Sequence, residues 1–251
     1  MQKPEQTGIK QESDMYAPVK AYLQAQGWEV KAEIKDCDAA AVLDGKLLAV
    51  EMKLTLNLDV ILQGIERQSR ADMVYLAVPK KGKAMASPRW KETMTLLQRL
   101  NIGLLVVSLG REGPDVDELL TPQCKEGAAK GHAARIRKTT LREFNGRSGD
   151  YNTGGVRGQK LLTVYRQAAL RLAGLLAEKG PMSAKQMKPE GEKSRSTYMI
   201  MKDNYYGWFQ PVGGGLFELT DAGKAGLHDF GGAVTGKEFS EEDYFAGTVE
   251  D

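Results

Sequence analysis

The stretch DCDAAAVLDGKLLAVEMK, residues 36–53, decides the fold. Two β-compatible runs flank Asp44-Gly45, a two-residue hairpin signal, because such turns need positive φ and Gly adopts it without strain. Counting outward from that loop sets Leu43 opposite Lys46, Ala40 opposite Ala49, Asp38 opposite Glu51 and Asp36 opposite Lys53. Side chains alternate faces along a strand, so the four charged residues share one face. Directly opposed residues have Cβ atoms roughly 4.5–5.5 Å apart, and two carboxylates at that distance repel unless a cation or proton lies between them. A divalent metal answers this, and oxygen ligands favour magnesium or manganese over zinc. The competing reading is a pair of solvated strand ends with a cross-strand ion pair. Against it, Ala39, Ala41, Leu43, Leu48 and Val50 line one face while Ala40, Val42, Leu47 and Ala49 continue the charged one, and charges ending such strands are costly without function. A three-residue loop would slip the register and separate Asp38 from Glu51.

The chain has 251 residues, a hydrophobic content of 41% and a net charge of +2, which suits one large or two small domains and does not select a partner. The polar start MQKPEQTGIKQESD is not a secretory signal, and no apolar run reaches spanning length. Cys37 and Cys124 have no metal-ligand spacing and suggest no disulfide scaffold, so a cytoplasmic protein is expected. A helix is predicted over Glu12–Gln26, with Met15, Val19, Tyr22 and Leu23 on one side and Pro18 marking a kink or its true start. WEVKAEIK reads as a first strand, ahead of the hairpin. Asn57 caps a helix through LDVILQGIERQSR with an apolar stripe of Leu58, Ile61, Leu62 and Ile65. MVYLAVP and IGLLVVSL are further strands around a helix at 88–100. The order αβββαβαβ predicts an α/β fold with a mixed sheet flanked by helices.

This order and the charged hairpin resemble the PD-(D/E)XK, restriction-endonuclease-like superfamily over residues 10–110. More closely, ESDMYAPVKAYLQAQGWEV, the DCD strand, VEMKL, NLDVILQGIERQ and DMVYLAVP resemble a bacterial family of PD-(D/E)XK-type phosphodiesterases. The resemblance implies that Asp38, from the second strand, and Glu51 and Lys53, from the third, form a hydrolytic site; the superfamily's Pro before its Asp is Cys37 here. It implies Mg2+, with Mn2+ as a substitute, held by Asp38, Glu51 and the Met52 carbonyl, and Lys53 orienting water or neutralising developing charge. Asp36 is expected to pair with Lys53 or to help hold a second ion. Glu12 matches the acidic residue that many members bring from the first helix. Gln63, with Arg67 one turn on, stands where related nucleases carry a polar residue facing the site, a solvated helix face being the alternative.

Beyond Leu109 the composition changes. REGPDVDELLTPQ reads as loop, and residues 125–171 hold eleven lysines and arginines against Glu126, Glu143 and Asp150. Such a segment suits phosphate-backbone binding, with Arg135, Arg137 and Lys138 as contacts, although basic linkers also serve solubility. RSGDYNTGGVRG is rich in turn formers and marks the approach to a new domain. The order that follows resembles a winged helix-turn-helix: a helix from Gln159 to Lys179, GPMSAKQM, a recognition-type helix in SRSTYMIMKDNYYGWF, then GLFELTDAGKAGL. Ser194, Arg195, Ser196, Thr197 and Lys202 are its candidate contacts. Tyr205, Tyr206, Trp208 and Phe209 are read as core. The expected organisation is a nuclease-like domain at 10–110, a basic connector at 111–158, a winged-helix-like DNA-binding domain at 159–230 and an acidic disordered tail at 231–251.

The leading expectation is a metal-dependent nuclease acting on DNA. Its rivals are a non-catalytic DNA-binding regulator on a nuclease-like scaffold, and an interaction domain whose basic region confers only solubility. Cutting both strands would usually take two sites, but no residue marks a dimer interface, and RNA stays open as a substrate.

Overall fold

The structure is a computed structural model that describes residues 8–110, 113–124, 131–147, 149–155, 161–188 and 194–235. It is a mixed α/β protein with a six-stranded mixed sheet and a separate three-stranded one. The chain divides into two compact units, residues 1–161 and 162–251.

In the first unit the strands are β1 (Glu29–Ile34), β2 (Cys37–Leu43), β3 (Lys46–Met52), β4 (Met73–Pro79), β5 (Gly103–Gly110) and β6 (Gly113–Leu120), in that spatial order. Only β3–β4 and β4–β5 pair in parallel, and each needs a helical crossover: α2 (Leu58–Arg67) and α3 (Pro88–Arg99). The hairpin forms in the predicted register, Leu43 facing Lys46 and Ala40 facing Ala49, with φ of 50° at Asp44 and 74° at Gly45. One sheet face buries Ala39, Ala41, Leu48 and Val50 under Met15 and the helix α1 (Tyr16–Ala25). The other packs Leu76, Val78, Leu104 and Val106 against α2 and α3. Glu12–Met15 form a 3-10 turn before α1, so Pro18 falls in the first turn of the α-helix, where a missing N–H is tolerated. Asn57 caps α2 by accepting from the Val60 N–H at 3.1 Å, as predicted.

Three local readings are corrected. Ile34 pairs with Cys37, so Lys35 and Asp36 form a two-residue turn and Asp36 is not on the strand facing Lys53; its carboxylate binds Arg70 at 2.6 Å, away from the acids of the hairpin. The predicted stripe of α2 is turned outward: Leu58, Leu62 and Ile65 are 64%, 54% and 40% exposed, while Val60, Ile61, Gly64 and Arg67 are buried. Gly64 accounts for the rotation, because even a methyl group there would lie 3.2 Å from Ile102 and Leu76. GPDVDELL is a strand, not a loop; β6 pairs only with β5, and an edge position accepts Pro114 and three acids.

The segment at 111–158 also carries α4 (Gly131–Gly146), which packs Phe144 against Ile34, Ala40, Leu47 and Ala49. The Lys31 ammonium reaches the carbonyls of Phe144 and Arg147 at 2.9 and 3.1 Å, and Arg147 donates to the carbonyls of Ala32 and Glu33. These bonds satisfy buried cations that would otherwise be costly.

The second unit runs α5 (Val164–Lys179), β7 (Met182–Ser183), α6 (Ala184–Met187), α7 (Ser194–Asp203), β8 (Phe209–Gly213), β9 (Leu216–Leu219) and α8 (Asp221–Thr235). Its antiparallel sheet has the order β7-β9-β8. Leu170, Ala173, Met201, Phe217 and Leu227 build its core with Trp208 and Phe209. Two of the four aromatics at 205–209 are therefore core as expected; Tyr206 is half-buried and Tyr205 is 74% exposed. Of the predicted tail, residues 236–251 lie outside the described residues.

Candidate active site

Glu12, Asp38, Glu51 and Lys53 are brought together from three elements. Antiparallel pairing of β2 and β3 puts Asp38 beside Glu51, and the turn before α1 adds Glu12 from outside the sheet. The Lys53 ammonium is 3.1 Å from Glu12 Oε2, 3.1 Å from the Met52 carbonyl oxygen, 3.9 Å from Asp38 Oδ2 and 4.0 Å from Glu51 Oε1. Its backbone is fixed as well, the Lys53 N–H donating to the Ala77 carbonyl at 3.0 Å. Asp38 Oδ2 accepts from the Met52 N–H at 2.7 Å, a bond that ties β2 to the end of β3.

Glu51 is 3% exposed and leans on Arg67, itself 6% exposed, whose Nε donates to Glu51 Oε2 at 3.0 Å. The same guanidinium donates to the Asp36 carbonyl. One Glu51 oxygen is thereby committed to Arg67, and the other faces Lys53. Burial, together with the Asp38 charge, raises the Glu51 pKa to about 7 against the pull of Arg67 and Lys53. Burial likewise raises Asp38, opposed by the Met52 N–H and the Lys53 charge. Two neighbouring carboxylates pushed upward make a site with unmet demand for positive charge.

The donors fit a hard cation. Three carboxylates and a backbone carbonyl converge on one point, every donor is oxygen, and a cation, the Lys53 ammonium, already occupies it. As they stand, with that ammonium among them, no three His, Cys, Asp or Glu side chains among the described residues are arranged to hold a metal ion.

Gln63 lies four residues before Arg67 on α2 and so on the same helix side; its Oε1 is buried without a hydrogen-bond partner. Arg137 is committed within the fold. Its guanidinium holds Asp72 at 2.6 Å and the Gly45 carbonyl at 2.8 Å, clamping α4 to the hairpin turn. Arg135 and Lys138 are exposed on α4, joined by His132 and Arg142, which sequence reading did not single out as contacts. The spacing 132, 135, 138, 142 is the helical repeat itself, and it could have found this row. On α7, Ser196 and Lys202 are exposed and Thr197 is 2% exposed; the Ser194 and Arg195 side chains lie outside what the structure describes.

Fold and site together define an α/β protein with a cluster of acids around a lysine on a mixed sheet. Residues 105–226 match the family model described as "Putative PD-(D/E)XK phosphodiesterase (DUF2161)", the kind of family that the sequence was read as resembling. Metal dependence is typical of PD-(D/E)XK enzymes. No curated protein and no solved structure matches the chain. Among the described residues no helix is long and apolar enough to cross a membrane.

Proposed function

We propose that the protein is a divalent-metal-dependent phosphodiesterase that hydrolyses nucleic acid, with DNA as the favoured substrate and the cytoplasm as its place of action. The observation that carries this reading is the convergence of Glu12, Asp38 and Glu51 on Lys53 within 4.0 Å. Asp38, Glu51 and the Met52 carbonyl would hold Mg2+ or Mn2+, with Glu12 beside them. When bound, the ion supplies Lewis acidity toward the phosphoryl oxygen and a more acidic water. Lys53 orients that water or neutralises charge growing on the phosphoryl oxygens, tasks a point-charge ammonium can perform. Arg67 fixes the Glu51 carboxylate so that one oxygen stays turned to the centre. Gln63, on the same side of α2, is a candidate to position the substrate or water.

The element order of the second unit supports a winged helix, with α7 as its recognition helix and the β8–β9 hairpin as its wing. Ser196 and Lys202 would meet phosphate or base edges there, and Arg195 is a further candidate contact by its place in the sequence. Arg135 and Lys138 on α4 would track the phosphate backbone. The alternative, a DNA-binding regulator without catalysis, draws on the same cations. The two readings separate when purified protein meets linear, supercoiled and single-stranded DNA with Mg2+, Mn2+ or chelator. Metal-dependent cutting that disappears in Lys53→Ala is expected. Salt-dependent binding without cutting under either metal would leave the regulator.

A further inference from the structure

Residues 149–155, GDYNTGG, form neither helix nor strand and read as the approach to a new domain, yet they lie against the acid cluster. Gly154 is buried, and a Cβ there would come within 2.4 Å of the Asp38 carbonyl oxygen, 2.8 Å of Met52 Cε and 2.8 Å of the Tyr16 ring. Gly155 has a φ of 76°, and a Cβ on it would lie 3.0 Å from the Glu12 carbonyl carbon and 3.1 Å from Glu12 Cβ. Two successive residues without side chains therefore touch Asp38, Met52 and Glu12, three of the four residues whose oxygens surround Lys53. Only glycine permits that approach.

The segment is fastened at both ends. Asp150 Oδ1 accepts from the Ala32 N–H at 2.8 Å, and its Oδ2 accepts from the Tyr16 hydroxyl and the Lys20 ammonium. The Gly155 N–H donates to Glu33 Oε1 at 2.9 Å. Glu33 itself adopts a φ of 52°, a left-handed conformation uncommon for a residue other than Gly, Asn or Asp. A passive connector has no need of two fixed ends and a strained partner.

We propose that Gly154 and Gly155 are positioning residues of the active site: the 149–155 segment is a wall that presses Asp38, Met52 and Glu12 into their places around Lys53. The inference rests on the reading of this cluster as the phosphodiesterase centre. It also gives the family-matched span, 105–226, a part in a site whose acids and lysine all lie outside that span.

The test uses the full chain with Gly155→Asn and Gly154→Ala. Asn tolerates the left-handed backbone, so the first variant keeps the turn while its Cβ crowds Glu12. Two quantities are read: the rate at which Lys53 is acylated by acetic anhydride, followed by mass spectrometry, and the Mn2+ dissociation constant from calorimetric titration. In folded Gly155→Asn, Lys53 acylation is expected to rise several-fold as Glu12 withdraws, and Mn2+ binding to weaken by about tenfold or more, as for loss of a residue that orients metal ligands. A merely structural role would lower the thermal midpoint and leave both quantities at wild-type values, and that result overturns the proposal. If Gly154→Ala does not fold, Gly155→Asn decides alone. If the wild type binds no Mn2+, the metal-dependent reading fails, and Lys53 acylation still decides whether the wall positions the cluster.

Discussion

The acids around Lys53 and the cations on the outer face of α4 are both clusters of like charge, and the fold handles them in opposite ways. Glu12, Asp38 and Glu51 are drawn in from separate elements, mostly buried, and held by Met52, Arg67 and Lys53 at fixed distances. Arg135, Lys138 and Arg142 follow one another along a single helix and are exposed to solvent. Burying like charges is costly, so the first arrangement persists only where cations and hydrogen bonds compensate it, as Arg67, Lys53 and the Met52 N–H do. Spreading cations over a helix surface costs little, and their role is set by whatever anion approaches. The buried cluster therefore specifies a chemistry, whereas the exposed row specifies only a sign of charge.

The contrast is broken most directly at the buried cluster. Under the proposed function, Asp38→Ala and Lys53→Ala each remove a group from the reacting centre and are expected to lower DNA cleavage by on the order of a thousandfold or more. Circular dichroism should show both variants folded. Full cleavage by either would detach the cluster from the chemistry and leave its burial unexplained.

The next effect is a pH dependence that only buried charges can show. The Glu51 value of about 7 lies above its ordinary 4.5, so the fold favours the protonated form. Without metal, the stability tied to this group is fully present below pH 4.5 and is lost as pH rises through 7, by about 3 kcal/mol at most. Metal binding runs the other way, because the ion must displace the proton: Mn2+ affinity should fall by up to about tenfold per pH unit below 7. Glu51→Gln should flatten the stability slope between pH 4.5 and 7. Equal slopes in mutant and wild type would show that Glu51 titrates normally.

Arg137 sharpens the comparison from the other side, since it sits on α4 among the exposed cations but behaves like a buried charge. Arg137→Ala is expected to cost about 1–2 kcal/mol of stability, read by urea denaturation, because it removes the guanidinium that binds both Asp72 and the Gly45 carbonyl. It should leave the salt dependence of DNA binding unchanged. If α4 tracks the phosphate backbone as proposed, the triple variant Arg135→Ala, Lys138→Ala, Arg142→Ala should do the reverse, keeping stability and lowering the log–log salt slope by about one for each phosphate left without its cation.

What could be read in the sequence follows the same division. The β2–β3 hairpin was legible because Asp44-Gly45 sets both loop length and register, and Asp38, Glu51 and Lys53 come with the register. Asp36 was misplaced because the turn before β2 has no such mark: Lys35 takes a φ of 57° without being Gly or Asn. The strand β6 was hidden by Pro114 and its acids, which an edge tolerates. The face of α2 was decided by Gly64, a residue that hydropathy does not count toward an apolar stripe although the sheet requires it. Arg137 could not be told from Arg135 by composition, since only tertiary contact with Asp72 separates them. The approach of Gly154 and Gly155 to Asp38 and Glu12 is more than 100 residues distant in sequence, and no local pattern encodes it.

The smallest expected effect tests whether the exposed cations of the second unit behave as those of α4 do. Lys202 is exposed in the last turn of α7, and Ser196 is exposed in the first. If α7 lies along DNA, Lys202→Ala removes a single screened phosphate partner and should weaken binding by a small factor, about threefold, uniformly across sequences, with the salt slope falling by about one. Ser196→Ala removes no charge, so it should leave the slope intact and reduce affinity less, unless the hydroxyl meets a base edge. In that case the loss would appear on some sequences and not on others. A fluorescence-anisotropy titration over several salt concentrations and two unrelated duplexes separates these outcomes. If Lys202→Ala changes neither affinity nor slope, α7 is not the DNA-facing helix, and the three-stranded unit serves protein contacts while α4 carries the backbone alone.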